Sequence, residues 1–299
     1  MAQTIVAGVD RSDAAEPVVD AASGLASALD ARLLVVHAVA EPVEEAEELL
    51  ESLRARLPGA DDTSMRLVEG SPADRLIEVA DDEGAELLVV GSRGRGALSS
   101  AVLGGVSRKV ARDARCPVVV VPPAASIGVP EAGGGSEGAV VCGVDGSGHA
   151  VTAAQVAGRL AERLGGRIVV VHARQDLKAV VSYPGARSTT PPITGQDDAV
   201  LRQADRVVQE ALEAVDADVE ATGLVESGAP AGVLAAVADR EDARLIVIAA
   251  RGMGAVRAAF LGSVTTALAT SATRPVVVVS EPAELALAER ASGQRRTMA

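Results

Sequence analysis

Gly91, Arg93, Gly94, Gly104, Gly105, Val106 and Ser107 have the residue types and the spacing to hold an anion. Gly91-Ser92-Arg93-Gly94 is followed by nine residues and then by Gly104-Gly105-Val106-Ser107. Glycines let backbone N–H groups approach a ligand with no Cβ in the way. A helix that starts at such a loop adds unpaired N–H groups and the positive end of its dipole. The pattern recurs near the carboxyl end. Ala249-Ala250-Arg251-Gly252 is followed by nine residues and then Gly262-Ser263-Val264-Thr265. A recurring spacing in the same local context carries more weight than one glycine loop.

The elements that would position these loops repeat as well. Ile5-Val6-Ala7-Gly8-Val9-Asp10 matches Val140-Val141-Cys142-Gly143-Val144-Asp145, and Leu34-Val35-Val36-His37-Ala38 matches Val169-Val170-Val171-His172-Ala173. The Asp-to-His separation is 27 in both. Leu87–Val90 matches Leu245–Ile248, and the valine run after Pro117 matches that after Pro275. The chain is a duplication: copy one over 1–123, a Gly/Ser-rich linker over 124–137, copy two over 138–281, and a tail over 282–299. The tail reads as one short helix with a frayed basic end. In copy one, strands are expected near 3–9, 32–38, 65–69, 86–90 and 117–121. Short continuous Val/Leu/Ile runs suit parallel strands buried on both faces. The stripe Val18, Ala22, Leu25, Leu29 suits a helix packed on a sheet. Further helices are expected over Glu41–Arg56, Pro72–Glu83 and Gly104–Ala114. The alternation implies an α/β fold with one open, doubly wound, five-stranded parallel sheet per copy. Ligands of such sheets bind beyond the carboxyl ends of the strands. The loops, Asp10 with Asp145, and His37 with His172 all fall on that rim.

Composition narrows the function. A formal charge of −13 gives a field that repels nucleic acid, and one Phe, one Tyr and no Trp leave no stacking platform for it. No run is long and apolar enough to span a membrane, and the amino terminus does not read as a signal peptide. Cys116 and Cys142 sit in apolar runs and read as buried core residues. A cytoplasmic protein is expected.

These motifs resemble the universal stress protein family, in a tandem two-domain form. The resemblance rests on the G-x-x-G-x9-G-[S/T] pattern, the strand-one Asp, the Val-His at the end of strand two, and the Pro-Val-Val-Val-Val last strand. It implies a strand order of 3-2-1-4-5 and pairing through the last strand, here as a pseudo-dimer of the two copies, with a homodimer of chains as a further expected assembly. It also implies binding of ATP or another adenine nucleotide, often with Mg²⁺. Carried over by residue, Asp10 and Asp145 would meet the adenosine part, and Ala38 and Ala173 would contact adenine through backbone. Gly91, Gly94, Gly104, Gly105 and Val106 would cradle phosphates in site one. Gly252, Gly262, Ser263 and Val264 would do so in site two, with Arg93, Ser107, Ala249, Arg251 and Thr265 in the same loops.

Two departures predict unequal sites. Gly105 replaces the Ser or Thr of the pattern, which removes a hydroxyl contact to phosphate, on the order of 1 kcal/mol; Ser107 is a candidate substitute. Ala249 replaces Gly, at a cost of roughly 1–2 kcal/mol if that position needs positive φ and little otherwise. Site one is expected to bind more tightly. Plainer roles compete for several residues. Asp10 and Asp145 also read as turn or N-cap residues, and His37 and His172 as packed strand ends rather than catalysts. Arg93 and Arg251 either reach phosphate or solvate a turn. Arg95, Lys109 and the Glu41–Glu51 run read as solvent-facing. His149 has no counterpart in copy one, where Ala14 stands. The segment 175–196 reads as a surface loop, with a lid as the sharper alternative. A regulatory binding protein is expected rather than an efficient enzyme, since the loop lacks the Gly-Lys-Ser/Thr ending of P-loop ATPases and no second repeated carboxylate faces the phosphates. The rivals are a nucleotide-free scaffold, an adenylating or nucleotidyltransferase enzyme, and a flavin carrier.

Overall fold

The computed structural model describes residues 3–39, 44–54, 57, 63–94, 103–125, 138–174, 194–252 and 261–297. Residues 175–193 and most of the linker, and with them the lid expectation, lie outside the described residues, as does Arg95.

Copy one runs β1 (Gln3–Val9), α1 (Ala15–Ala28), β2 (Ala31–Val39), α2 (Glu44–Arg54), β3 (Thr63–Glu69), α3 (Pro72–Asp82), β4 (Leu87–Gly91), α4 (Gly105–Asp113) and β5 (Val118–Val121). Copy two repeats this as β6 (Ala139–Gly143), α5 (Gly148–Arg163), β7 (Arg167–Arg174), α6 (Thr194–Glu213), β8 (Ala221–Ser227), α7 (Pro230–Arg240), β9 (Leu245–Ala249), α8 (Ser263–Ser271) and β10 (Val276–Val279), followed by α9 (Glu281–Thr297). The expected strands are present, shifted by a residue or two. Pro72 and Pro230 open their helices, where a missing N–H costs least.

Each half has the expected order, but the two sheets are not separate. They form one ten-stranded sheet, β3-β2-β1-β4-β5-β10-β9-β6-β7-β8. The seam is antiparallel, with Val120, Val119 and Val118 opposite Val276, Val277 and Val278. All other pairs are parallel. The pairing through the last strand is thus realised inside one chain. Each face of the sheet carries a single apolar layer spanning both halves, one under α1 and α5, the other under α3, α4, α7 and α8. Polar contacts also cross the seam: Arg163 pairs with Glu86 and donates to Leu29 O.

The tail departs from expectation. In place of a short helix with a frayed end, α9 is helical through Thr297, and Ala283 and Ala286 are buried. Ser280 Oγ donates to Ala114 O at 2.9 Å, and Arg115 pairs with Glu289 at 2.8 Å, so the end of copy two is fastened to copy one.

Candidate functional site

In copy one, β1, β2 and β4 end side by side, and α1, α3 and α4 begin above them. Between these ends lies a cavity of about 580 Å³, bordered by Asp10, Ala38, Gly91, Arg93, Gly94 and Gly104 through Arg108. That volume suits a small-molecule site. Every copy-one residue expected to bind is on this list. Its walls are mostly apolar, from Val9, Ala14, Val18, Leu76 and Leu103, with Asp10, Arg93 and Arg108 as the charged groups among the described residues. Arg108 and the apolar wall escaped the sequence reading. An arginine in the first turn after a glycine loop was the available signal for the former, although copy two has Thr266 there.

Asp10 has a defined place. Its Oδ1 accepts from the Ser12 amide at 3.0 Å and from Ser12 Oγ. In copy two, Asp145 Oδ1 accepts from the Ser147 amide at 3.0 Å and from Ser147 Oγ at 2.6 Å. The turn role is therefore real in both halves. The other oxygen lies against the glycine loop. A Cβ on Gly94 would sit 2.3 Å from Asp10 Oδ2, and one on Gly252 would sit 2.0 Å from Asp145 Oδ2. The loop glycine is required by close approach to a carboxylate. None of the loop glycines described has positive φ.

That finding settles the Ala249 question. Neither Gly91 nor Ala249 has positive φ, so the strain alternative does not apply. A Cβ on Gly91 would meet Ala14 Cβ at 3.1 Å and Val18 Cγ2 at 3.4 Å. In copy two the position matching Val18 is the smaller Ala153, which is fully buried.

The loops are closed by hydrogen bonds. Gly104 N–H donates to Ser92 O, and Gly262 N–H to Ala250 O, both at 2.8 Å. Ser107 Oγ donates to Gly91 O at 2.6 Å, and Thr265 Oγ1 to Ala249 O at 3.1 Å. The Ser107 proton is committed to that carbonyl, so Ser107 does not replace the hydroxyl missing at Gly105. Gly104 and Gly262 cap α4 and α8 with no side-chain acceptor, which leaves the first-turn N–H groups to a ligand or water. A Cβ on Gly105 would meet nothing within 4 Å.

The histidines are fasteners. Val9 O accepts from His37 Nδ1 at 2.8 Å, and Val144 O from His172 Nδ1 at 2.9 Å, joining strand two to the end of strand one. This matches the structural role expected for them. Arg251 pairs with Glu281 at 3.0 Å, His149 with Glu284 at 2.8 Å, and Lys109 with Asp74. Burial pushes the Cys116 and Cys142 thiols up to about 12, which leaves them protonated and inert.

A family model described as the universal stress protein family matches residues 1–122 and again 138–280. The chain belongs to the universal stress protein family. A family member from Mycobacterium tuberculosis is 33% identical over 217 residues, covering 72% of this chain and 68% of the relative. A second from that organism is 29% identical over 303 residues, covering 93% and 96%. A universal stress protein from Archaeoglobus fulgidus superposes with a TM-score of 0.63 at 20% identity, over 92% of this chain and 97% of that one, which supports the tandem fold. Among the described residues, no helix is long and apolar enough to cross a membrane.

Proposed function

We propose that this universal stress protein binds an adenine nucleotide, ATP being the expected form, and acts as a regulatory stress-response protein through nucleotide-dependent conformation or partners. The observation that carries the reading is the convergence of Asp10, Ala38, Arg93 and the Gly91–Gly94 and Gly104–Val106 segments on one cavity, from four separate stretches of the chain. The apolar wall suits a purine, and the N–H groups opening α4 suit phosphate. Asp10 stands at the end of β1 for the ribose, with Ala38 for the base edge. Arg93 and Arg108 add charge complementary to the phosphates. In site two, Asp145, Ala173, Arg251, Gly252, Gly262, Ser263 and Val264 take these places. Mg²⁺ in this reading arrives with the phosphates and shields their charge.

The test is chromatography of nucleotide released by denaturing freshly purified protein, quantified per chain, with Gly105→Asp and Ser263→Asp variants. Two nucleotides in the parent and one in each variant support two working sites. One in the parent, lost with Gly105→Asp alone, supports a dominant site one. None, with no uptake of added Mg-ATP, refutes nucleotide binding and leaves the loops as turns of the fold.

A further inference from the structure

The end of β10 leads directly into α9, where copy one instead continues through Pro122-Pro123 toward the linker. The start of α9 lies against the rim of site two. Arg251 Nη2 donates to Glu281 Oε2 at 3.0 Å, and Arg251 is the loop residue matching Arg93, which borders the cavity in site one. One turn later, His149 Nδ1 lies 2.8 and 3.0 Å from the two Glu284 oxygens. His149 stands where copy one has Ala14, another residue of the cavity wall. Two rim side chains of site two are thus engaged by two carboxylates of one helix. The same helix is anchored elsewhere, through Ser280 to Ala114 and Glu289 to Arg115 of copy one.

A carboxylate and a phosphate are alternative partners for one guanidinium, because both match its fork of donors. Arg251 is mostly buried, 17% exposed, and Glu281 is half exposed at 51%, so Glu281 is the partner with room to leave. We propose that the first turn of α9 is an autoinhibitory strap on site two: Glu281 holds Arg251 away from ligand, and a nucleotide phosphate that takes Arg251 releases the strap. The proposal rests on the reading that site two accepts a nucleotide phosphate. It makes the sites differ in kind. Site two reports occupancy through a helix docked on copy one, and site one has no matching helix in the described residues.

The test uses the full chain with site one blocked by Gly105→Asp, a side chain that enters open space. Mg-ATP binding by titration calorimetry is compared with and without Glu281→Gln. Removing one partly exposed competing ion pair should tighten site two by about two- to fivefold. Glu213→Gln, which removes the same charge at the exposed carboxyl end of α6, remote from the rim and from α9, should leave affinity unchanged. In the unmodified chain, Mg-ATP should speed amide exchange in the first turn of α9. Equal affinity with and without Glu281→Gln, in a chain that still takes up one nucleotide, overturns the strap and leaves the site reading intact. Equal tightening by Glu213→Gln overturns it too, since net charge is then the cause. Unchanged α9 exchange under saturating Mg-ATP does the same. If neither the parent nor any variant binds Mg-ATP, the site reading falls and the strap with it.

Discussion

Gly94→Ala tests whether the loop glycine exists to make room for a carboxylate. The new Cβ would stand 2.3 Å from Asp10 Oδ2, and real contacts of this kind do not persist below 3.0 Å, so something must retreat by about 0.7 Å. Neither side yields freely. Asp10 is held by the Ser12 amide and hydroxyl, and the loop by Ser92 N–H to Val121 O at 2.9 Å and Gly104 N–H to Ser92 O at 2.8 Å. Forcing a methyl into such a site costs about 1–3 kcal/mol. Urea unfolding followed by far-ultraviolet circular dichroism suits a chain with one Tyr, one Phe and no Trp. In an Asp10→Ala background the obstacle is gone. The same change should then be neutral, or stabilising by about 0.4–1 kcal/mol from the lower entropy of the unfolded chain. The double-mutant cycle should return a coupling of about 1–3 kcal/mol. Gly252 and Asp145, with a 2.0 Å approach, provide an independent repeat. Strict additivity in both halves would refute the argument.

Gly105→Ser, copying Ser263, should tighten nucleotide binding at site one by about tenfold, since a hydroxyl bonded to a charged group is worth about 1.5–3 kcal/mol and immobilising it costs part of that; calorimetry in a Ser263→Asp chain reads it, and unchanged affinity counts against phosphate at that helix start. Cys116 and Cys142, with thiols near 12, should resist iodoacetamide at pH 8 in the folded chain and react in urea, as followed by mass spectrometry. Glu83 is bonded by Arg66 and Arg32, and these guanidinium groups, Arg66 foremost, hold its carboxyl below the ordinary carboxylate range. A carboxyl depressed by folding stabilises at neutral pH, and that contribution is lost as pH falls through its folded value. Glu83→Gln should therefore lower thermal stability at pH 7 more than at pH 3, and an equal loss at both would contradict the assignment.

The strands were legible because buried parallel strands are near-continuous apolar runs, and the repeat confirmed each one. The rim was legible because chain order and strand polarity place Asp10, Ala38 and the loop there together. The length and docking of the tail helix were not. Its buried contacts are made by small residues, Ala283 and Ala286, and its polar partners, Ala114 and Arg115, lie far off in sequence. The pairing of Asp10 with Gly94 was hidden for a related reason: a glycine advertises freedom, and sequence does not say whether the freedom is in φ or in volume. Ser107 was misjudged because a hydroxyl beside a ligand loop can serve the loop as easily as the ligand. His149 was visible as the histidine with no counterpart in copy one, but its partner Glu284 is 135 residues away.

The valine seam between β5 and β10 has a consequence for divergence. When two identical chains pair across such an edge, every substitution is made twice and both sites change together. Here the halves share a sheet but not a copy of the coding sequence, so Gly105 can differ from Ser263, Ala14 from His149, and Gly91 from Ala249. The covalent link also fixes the stoichiometry at one to one and makes the pairing independent of dilution. One particle can thereby carry two different settings of the same device, each free to drift while the other keeps the original.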